Sequence, residues 1–387
     1  AARLGLARMA APRLPPDPVR VMGIDFPNRV GLAAGLDKDA AHLDGLAALG
    51  FGFLEAGTVT PRPQPGNPRP RMFRIPEAQA LVNRLGFNNG GVERFVANVR
   101  ASGYRGVLGC NLGKNFDTPN ERAADDYVAG LRAVAPVANY VTINVSSPNT
   151  QGLRELQAEA ALAALVARVI AERDRQVQAL GRALPVAIKI APDLEPDAVR
   201  GVARVLAHSG ADAVIATNTT VARDAVAGLP HAAETGGLSG RPLFAKSNAV
   251  LRTLVDELDG AVPVIGVGGI LSGDDAREKI ACGAALVQLY TGLVYRGPAL
   301  VAECVREARL PHTPRALAYS PDGERLAAAY LEGTNCLVNI YDASRLEQLR
   351  QFEAPVSIEH LDWHPTGRWL TLASGQTSEW SKGVRLL

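Results

Sequence analysis

Tyr140-Val141-Thr142-Ile143-Asn144-Val145-Ser146-Ser147-Pro148-Asn149 decides the fold. Its first half is a short apolar, β-branched run, the pattern of a buried strand. Its second half is polar and meets a proline, which ends the strand. Seven further runs repeat the design, at residues 30–35, 53–58, 107–112, 186–190, 213–216, 262–267 and 286–289. They lead into Gly35-Leu36-Asp37-Lys38, Thr58-Val59-Thr60, Asn111-Leu112-Gly113-Lys114-Asn115, Lys189, Thr217-Asn218-Thr219-Thr220, Gly268-Gly269 and Tyr290-Thr291. Helix-like stretches separate most of them, as at 153–180 and 196–209. Eight buried strands with polar C-terminal ends predict an α/β fold, a (β/α)8 TIM barrel, whose active site gathers at those ends.

The chain has 387 residues, enough for one large barrel and something smaller. It is 47% apolar and 21% charged, as a folded globular protein is. The formal net charge of +2 offers no electrostatic case for a nucleic-acid partner. Cys110, Cys282, Cys304 and Cys336 lack CxxC spacing and are expected to be reduced. The six histidines form no HExxH pattern, so no metal is expected. No apolar run approaches the ~20 residues that span a bilayer.

Residues 1–9 carry leucine and arginine at helical spacing, the end of a basic amphipathic helix or an ordinary packing helix. Prolines 12, 15, 16 and 18 stop it. The barrel is expected over residues 18–309. Two insertions, 60–90 and 221–244, are too long for simple connections, and long loops at this end of a barrel cover the site.

After about residue 309 the texture changes to strand, tight turn, strand. Ser320-Pro321-Asp322-Gly323 and His364-Pro365-Thr366-Gly367 repeat at the length of one WD blade. Residues 313–387 thus resemble the WD-repeat family, with Tyr341-Asp342 where Trp-Asp would stand. They cover less than two blades, short of a closed propeller. The segment either docks on the barrel, pairs with another chain or is a fusion with no bearing on the chemistry, the last being favoured.

Three groups of residues carry chemistry. Gly266-Val267-Gly268-Gly269-Ile270 and Tyr290-Thr291-Gly292 close the seventh and eighth strands, where barrels bind phosphate. With no Walker or Rossmann motif, they point to a mononucleotide such as FMN. Lys38 and Lys189 sit at strand ends, where a cation stabilises negative charge on a reduced flavin ring. Asn83, Asn88, Asn111, Asn144, Asn149 and Asn218 suit a flat heterocycle of alternating C=O and N–H groups, with Asn88 also fitting a turn role. Ser147 has no histidine nearby in any motif, which argues against hydrolysis and for a base that removes a C–H proton. Thr150 or a water could complete its hydrogen-bond chain.

Over residues 1–308 the chain resembles class 2, quinone-dependent dihydroorotate dehydrogenase. The match runs through residues 31–39, 57–67, Asn83-Arg84-Leu85-Gly86-Phe87-Asn88-Asn89, 144–150, 216–220, Gly237-Leu238-Ser239-Gly240, 266–270 and 288–292, in the family's order. The resemblance implies FMN held by Ala34, Gly35, Leu36, Asp37, Lys38, Thr58, Asn111, Asn144, Lys189, Thr217, Gly240, Gly269, Tyr290 and Thr291. It implies dihydroorotate held by Lys38, Asn83, Arg84, Leu85, Gly86, Phe87, Asn144, Asn149, Asn218 and Thr219. Ser147 matches the catalytic base, where the soluble class 1 enzymes use cysteine. The resemblance further implies a membrane quinone as electron acceptor, a monomer, and peripheral association with the cytoplasmic side of a bacterial cell membrane. Residues 1–17 match only the end of the family's two membrane-docking helices. Ala40 stands for a usual glycine, and Gln151 for a usual proline after the Ser147 loop. The rival flavin barrel, an RNA-acting dihydrouridine synthase, lacks support from the charge. A degenerate barrel serving as a binding module conflicts with the retained lysines, asparagines and Ser147.

Overall fold

Valine, isoleucine and alanine fill the strands because a parallel barrel covers both strand faces, one with its own interior and one with helices. The computed structural model describes residues 14, 17–308, 316–332, 335–344, 348–354, 358, 360–373 and 384–385. The helix expected over residues 1–9 lies outside them. The chain divides into two units, Ala1–Arg309 and Leu310–Leu387.

In the first unit a hairpin of β1 (Val19–Val21) and β2 (Ile24–Phe26) precedes β3 (Val30–Leu32) and β4 (Phe53–Val59). Then come β5 (Met72–Ile75), β6 (Ala80–Asn83), β7 (Val107–Leu112), β8 (Tyr140–Asn144), β9 (Val186–Ile190) and β10 (Ala213–Ala216). The series ends with β11 (Gly237–Gly240), β12 (Val264–Val267) and β13 (Ala284–Leu289). Strands β3, β4, β7, β8, β9, β10, β12 and β13 pair in parallel, in that order, and close into a barrel. The eight expected runs are these eight strands, with ends shifted by up to three residues. The expected helix at 153–180 is instead a 3-10 turn, Leu153–Gln157, followed by the helix Glu159–Leu180.

Side chains alternate in and out along each strand. At the base, the β2 ring of Phe26 meets Phe53 edge-on at 5.1 Å between centroids, and Phe53 meets Tyr140 at 6.4 Å. Gly31 and Gly109 make room for this layer, since a Cβ on either would lie 2.2 Å from the Phe53 or Tyr140 ring. The next inward positions are polar: Glu55, Thr142, Asn111, Asn144, Lys189 and Gln288, all buried. The outward faces pack on the helices in one continuous core.

The two insertions build one structure. Strands β5 and β6 from the first pair with β11 from the second in an antiparallel sheet ordered β11-β6-β5. Asn83 sits opposite Gly237 in its register.

The second unit holds a four-stranded antiparallel sheet, Ala316–Tyr319, Arg325–Glu332, Asn335–Asp342 and Gln348–Ala354, in chain order. A three-stranded sheet follows, His360–Trp363, Trp369–Ala373 and Val384–Arg385. The two expected turns have one geometry. Gly323 donates to the Ser320 carbonyl, and Gly367 to the His364 carbonyl, both at 2.8 Å. Both glycines take positive φ, 72° and 65°, which suits glycine best. Buried residues of both sheets, among them Val338, Ile340, Trp363 and Leu370, form one small core.

Candidate active site

The C-terminal strand ends open into a cleft. Every barrel strand except β7 sends a residue, or one just beyond its end, to its wall. Ala34, Gly35 and Lys38 follow β3, Thr58 lies on β4, and Asn144 and Ser147 end β8. Lys189 comes from β9, and Thr217, Asn218 and Thr219 follow β10. Gly268 and Gly269 follow β12, while Gln288, Tyr290 and Thr291 end β13. The insertion sheet adds Asn83, Leu85, Gly86, Phe87, Ser239 and Gly240, and Asn149 completes the Ser147 loop.

Two cations define the electrostatics. Lys189 is 5% exposed and Lys38 half-buried. Neither ammonium makes a hydrogen bond or ion pair among the described residues. Burial pushes Lys38 down to about 8, and Arg71 adds to the shift. Burial also pushes Lys189 below the usual lysine range, against the pull of the Glu55 carboxylate. Unpaired cations in a cleft cost free energy that a bound anion recovers.

The glycine end is built for close approach. Gly268 and Gly269 take φ of +114° and +79°, and a Cβ on Gly269 would lie 2.5 Å from the Phe244 Cα. Behind them Lys279 is fully buried, donating to Ser247 Oγ at 2.8 Å and Asn248 Oδ1 at 2.7 Å. The one proton of Ser247 Oγ has the carbonyls of Phe244, at 2.9 Å, and Gly268, at 3.1 Å, as its acceptors. Burial pushes Lys279 down to about 7.

Ser147 is 5% exposed, and its Oγ accepts the Asn149 backbone N–H at 3.2 Å. No histidine lines the cleft. A clamp holds its loop. Arg154 donates to the Ser146 carbonyl at 3.0 Å, the Thr219 carbonyl at 2.8 Å and Asp193 at 2.8 Å. Lys246 donates to the same carboxylate at 2.7 Å, and Thr220 also donates to it. Burial works against the Asp193 carboxylate, but Lys246, Thr220 and Arg154 outweigh it and hold it below its usual range.

Most of the residues named from the sequence meet here, but Asn88 and Thr150 do not line the cleft, nor do four of those that the resemblance implies. Leu36 is 38% exposed. Asp37 turns inward and accepts the backbone N–H groups of Ala41 and His42. Asn111 lies behind Thr58 and Asn144. Arg84 turns to Glu234 at 2.6 Å, with its guanidinium 4.7 Å above the Phe73 ring. The acid Glu55, the Arg154–Asp193 clamp and Lys279 escaped the sequence reading, and Gln288 and Ser239 stood in its motifs with no role assigned. Glu55 alone carried a signal there, as an acid inside an apolar run.

The four cysteines are free, and three of them are buried. Among the described residues no helix is long and apolar enough to cross a membrane, and no group of three or more His, Cys, Asp or Glu could hold a metal ion.

Known proteins are similar to this chain in sequence and fold. Residues 18–310 match the model of the dihydroorotate dehydrogenase family. A dihydroorotate dehydrogenase (quinone) of Thiobacillus denitrificans is 65% identical over 305 residues, 79% of this chain and 90% of that protein. One from Burkholderia thailandensis is 63% identical over 306 residues, 79% of this chain and 89% of its own. A crystal structure of DHODH from Eimeria tenella in complex with ferulenol superposes with a TM-score of 0.71 at 37% identity, covering 79% of this chain and 88% of that one. The chain belongs to the dihydroorotate dehydrogenase family, and within it to the quinone-dependent class.

Proposed function

We propose that the barrel oxidises (S)-dihydroorotate to orotate in pyrimidine biosynthesis, with FMN bound in the cleft and a membrane quinone as final acceptor. The observation that carries this is a cleft lined by two unpaired lysines, by amides suited to a pyrimidine and by a glycine cradle.

The residues present fit FMN. Gly240 and Gly269 bring backbone close to where a phosphate would lie, and a Cβ at Gly240 would meet the Gln79 carbonyl at 2.2 Å. Gln288 lines the cleft, and its buried Oε1 has no partner. Lys189 would hold charge on the isoalloxazine, with Ala34, Gly35, Lys38, Thr58, Asn144, Thr217, Tyr290 and Thr291 around it, and Leu36, Asp37 and Asn111 outside that lining. FMN, when bound, supplies the acceptor for the hydride leaving C6 of the substrate.

The chain's own residues do the rest. Lys38 holds the substrate carboxylate by charge. Asn83, Asn144, Asn149 and Asn218 take the ring's C=O and N–H groups, with Leu85, Gly86, Phe87 and Thr219 beside them, while the Arg84 side chain is held by Glu234. Asn149 Nδ2 already donates to Asn83 Oδ1 at 3.1 Å, which ties the covering sheet to the Ser147 loop. Ser147 Oγ takes the C5 proton, and its own proton passes toward Thr150 or water.

The association with a membrane is read as peripheral, on the cytoplasmic side of a bacterial cell membrane, and the protein as a monomer. The second unit is read as the start of WD-type blades. Its four antiparallel strands and its repeated turn support that. The test is Ser147→Ala. It should keep its flavin and lose on the order of 10²- to 10⁴-fold in dihydroorotate-driven flavin reduction. Near-native reduction would remove Ser147 as the base.

A further inference from the structure

Glu55 lies inside the barrel, fully buried, and is not among the residues proposed to bind flavin or substrate. Its Oε2 accepts from Tyr140 OH at 2.9 Å, Thr142 Oγ1 at 3.1 Å and Gln288 Nε2 at 2.8 Å. Its Oε1 accepts from Asn111 Nδ2 at 2.8 Å. We propose that Glu55 is a positioning residue. It sets the direction of a ladder of amides running from the barrel interior to the asparagines that face the pyrimidine.

The argument is one of donors and acceptors. A carboxylate only accepts, whereas an amide accepts at one end and donates at the other. Asn111 must therefore turn its NH2 to Glu55, which leaves Oδ1 facing the mouth. That oxygen accepts from Thr58 Oγ1 at 2.6 Å and Asn144 Nδ2 at 3.3 Å. Having spent its one proton on Asn111, the Thr58 hydroxyl accepts from Asn144 Nδ2 at 3.0 Å. Both contacts hold the Asn144 NH2 inward and its Oδ1 outward. The outward oxygen accepts from Ser146 N–H at 3.2 Å and Ser146 Oγ at 2.9 Å. Asn218 Nδ2 donates to Ser146 Oγ at 3.0 Å, while Asn218 Oδ1 accepts the Thr219 N–H at 2.8 Å. Backbone donors at the mouth and the carboxylate in the interior thus demand the same direction. The ladder has no rung left free to turn over, and a buried rung turned the wrong way would leave donors facing donors.

The proposal rests on the pyrimidine reading of the mouth, and its test separates the two. Asn111→Asp sets a second carboxylate against Glu55, which the pair tolerates only by holding a proton. In the holoenzyme, orotate affinity measured by calorimetry should fall on the order of 10- to 100-fold. Affinity should recover as the pH is lowered. Adding Glu55→Gln should restore most of it, because the new amide donates to Asp at 111 and the ladder keeps its direction. Asn111→Leu should lose affinity with no pH dependence and no rescue by Glu55→Gln, which excludes a simple effect of added charge. Flavin content is measured on each variant. Native affinity in Asn111→Asp, or failure of the rescue, would overturn the proposal. A wild type that binds no orotate would instead sink the pyrimidine reading. Neutron diffraction of the wild-type protein needs no variant. It should show deuterium on Asn111 Nδ2 toward Glu55, on Asn144 Nδ2 toward Thr58, and none on Glu55. A deuteron on Glu55, or either amide reversed, would contradict the ladder.

Discussion

The two units of this chain treat buried polarity in opposite ways. The barrel unit buries Lys114, Lys189, Lys279, Glu55 and Glu172, along with a run of asparagines and threonines. Among the described residues of the second unit, the buried polar side chains are Ser320 and Asn339. Taking charge out of water costs free energy, so a fold built only to be stable avoids it. The second unit has that economy, with alanine, valine, leucine and tryptophan meeting between two small sheets. Apart from Glu172, which Arg132 and Arg175 hold on an outer helix, the expense in the barrel gathers toward one end. The base is closed by Phe26, Phe53 and Tyr140, and the charged and amide side chains begin directly above. The difference teaches where the chemistry is. The barrel maintains an uncompensated cleft, and the second unit maintains none that the described residues reveal.

The comparison can be broken most sharply at Lys189. If its unpaired ammonium is kept for a ligand, Lys189→Met should weaken FMN binding on the order of 100-fold while raising the melting temperature of the flavin-free protein. Flavin fluorescence titration and thermal unfolding read the two effects. A lysine serving stability alone would lower the melting temperature and leave FMN affinity untouched.

Lys38 gives the next effect, in pH. Its pKa is depressed to about 8, and an anion bound beside it favours the charged form. Orotate affinity should therefore be flat below pH ~8 and fall by up to ~10-fold per pH unit above it, until the pKa of the bound state is reached. In Lys38→Met the slope should vanish. The stability of the ligand-free protein runs the other way. The unfolded lysine binds protons up to its ordinary value of 10.5, so this group makes the fold more stable as pH rises from about 8 to 10.5.

Thr150 is 7% exposed in the loop that carries Ser147. If it relays the proton, Thr150→Val should slow flavin reduction by roughly 10-fold without changing orotate affinity. Unchanged turnover would leave the relay to water alone. The smallest expected effect is at the second unit. Removing residues 313–387 should leave FMN content and the rate of flavin reduction within about twofold, well inside the factor that marks a lost interaction. A large loss would mean that the second unit supports the barrel after all.

Much of this was legible in the sequence because barrel strands are covered on both faces. Val186-Ala187-Ile188-Lys189-Ile190 can only be such a strand, and a lysine within it must point into the mouth. The glycines after β12 and the Ser147 loop were legible for the same reason, as polar ends of apolar runs. What was not legible depends on pairing across the chain. Asn83 meets Gly237 in the covering sheet, a register no local pattern announces. Arg84 was expected beside the substrate, yet Glu234 and Phe73 hold its side chain. Lys279 sits in a polar helix, Gly273–Ala281, and looks like a surface lysine until Ser247 and Asn248 close over it. Glu55 stood out only as an acid in the wrong place. Its four donors come from three other strands, and no linear reading assembles them.

The most direct test of the account is anaerobic addition of dihydroorotate to the purified, FMN-loaded protein while its flavin absorbance is followed. The account predicts bleaching of the yellow colour as the substrate reduces the cofactor, with orotate formed in equal amount. A protein that binds FMN and stays yellow would contradict it.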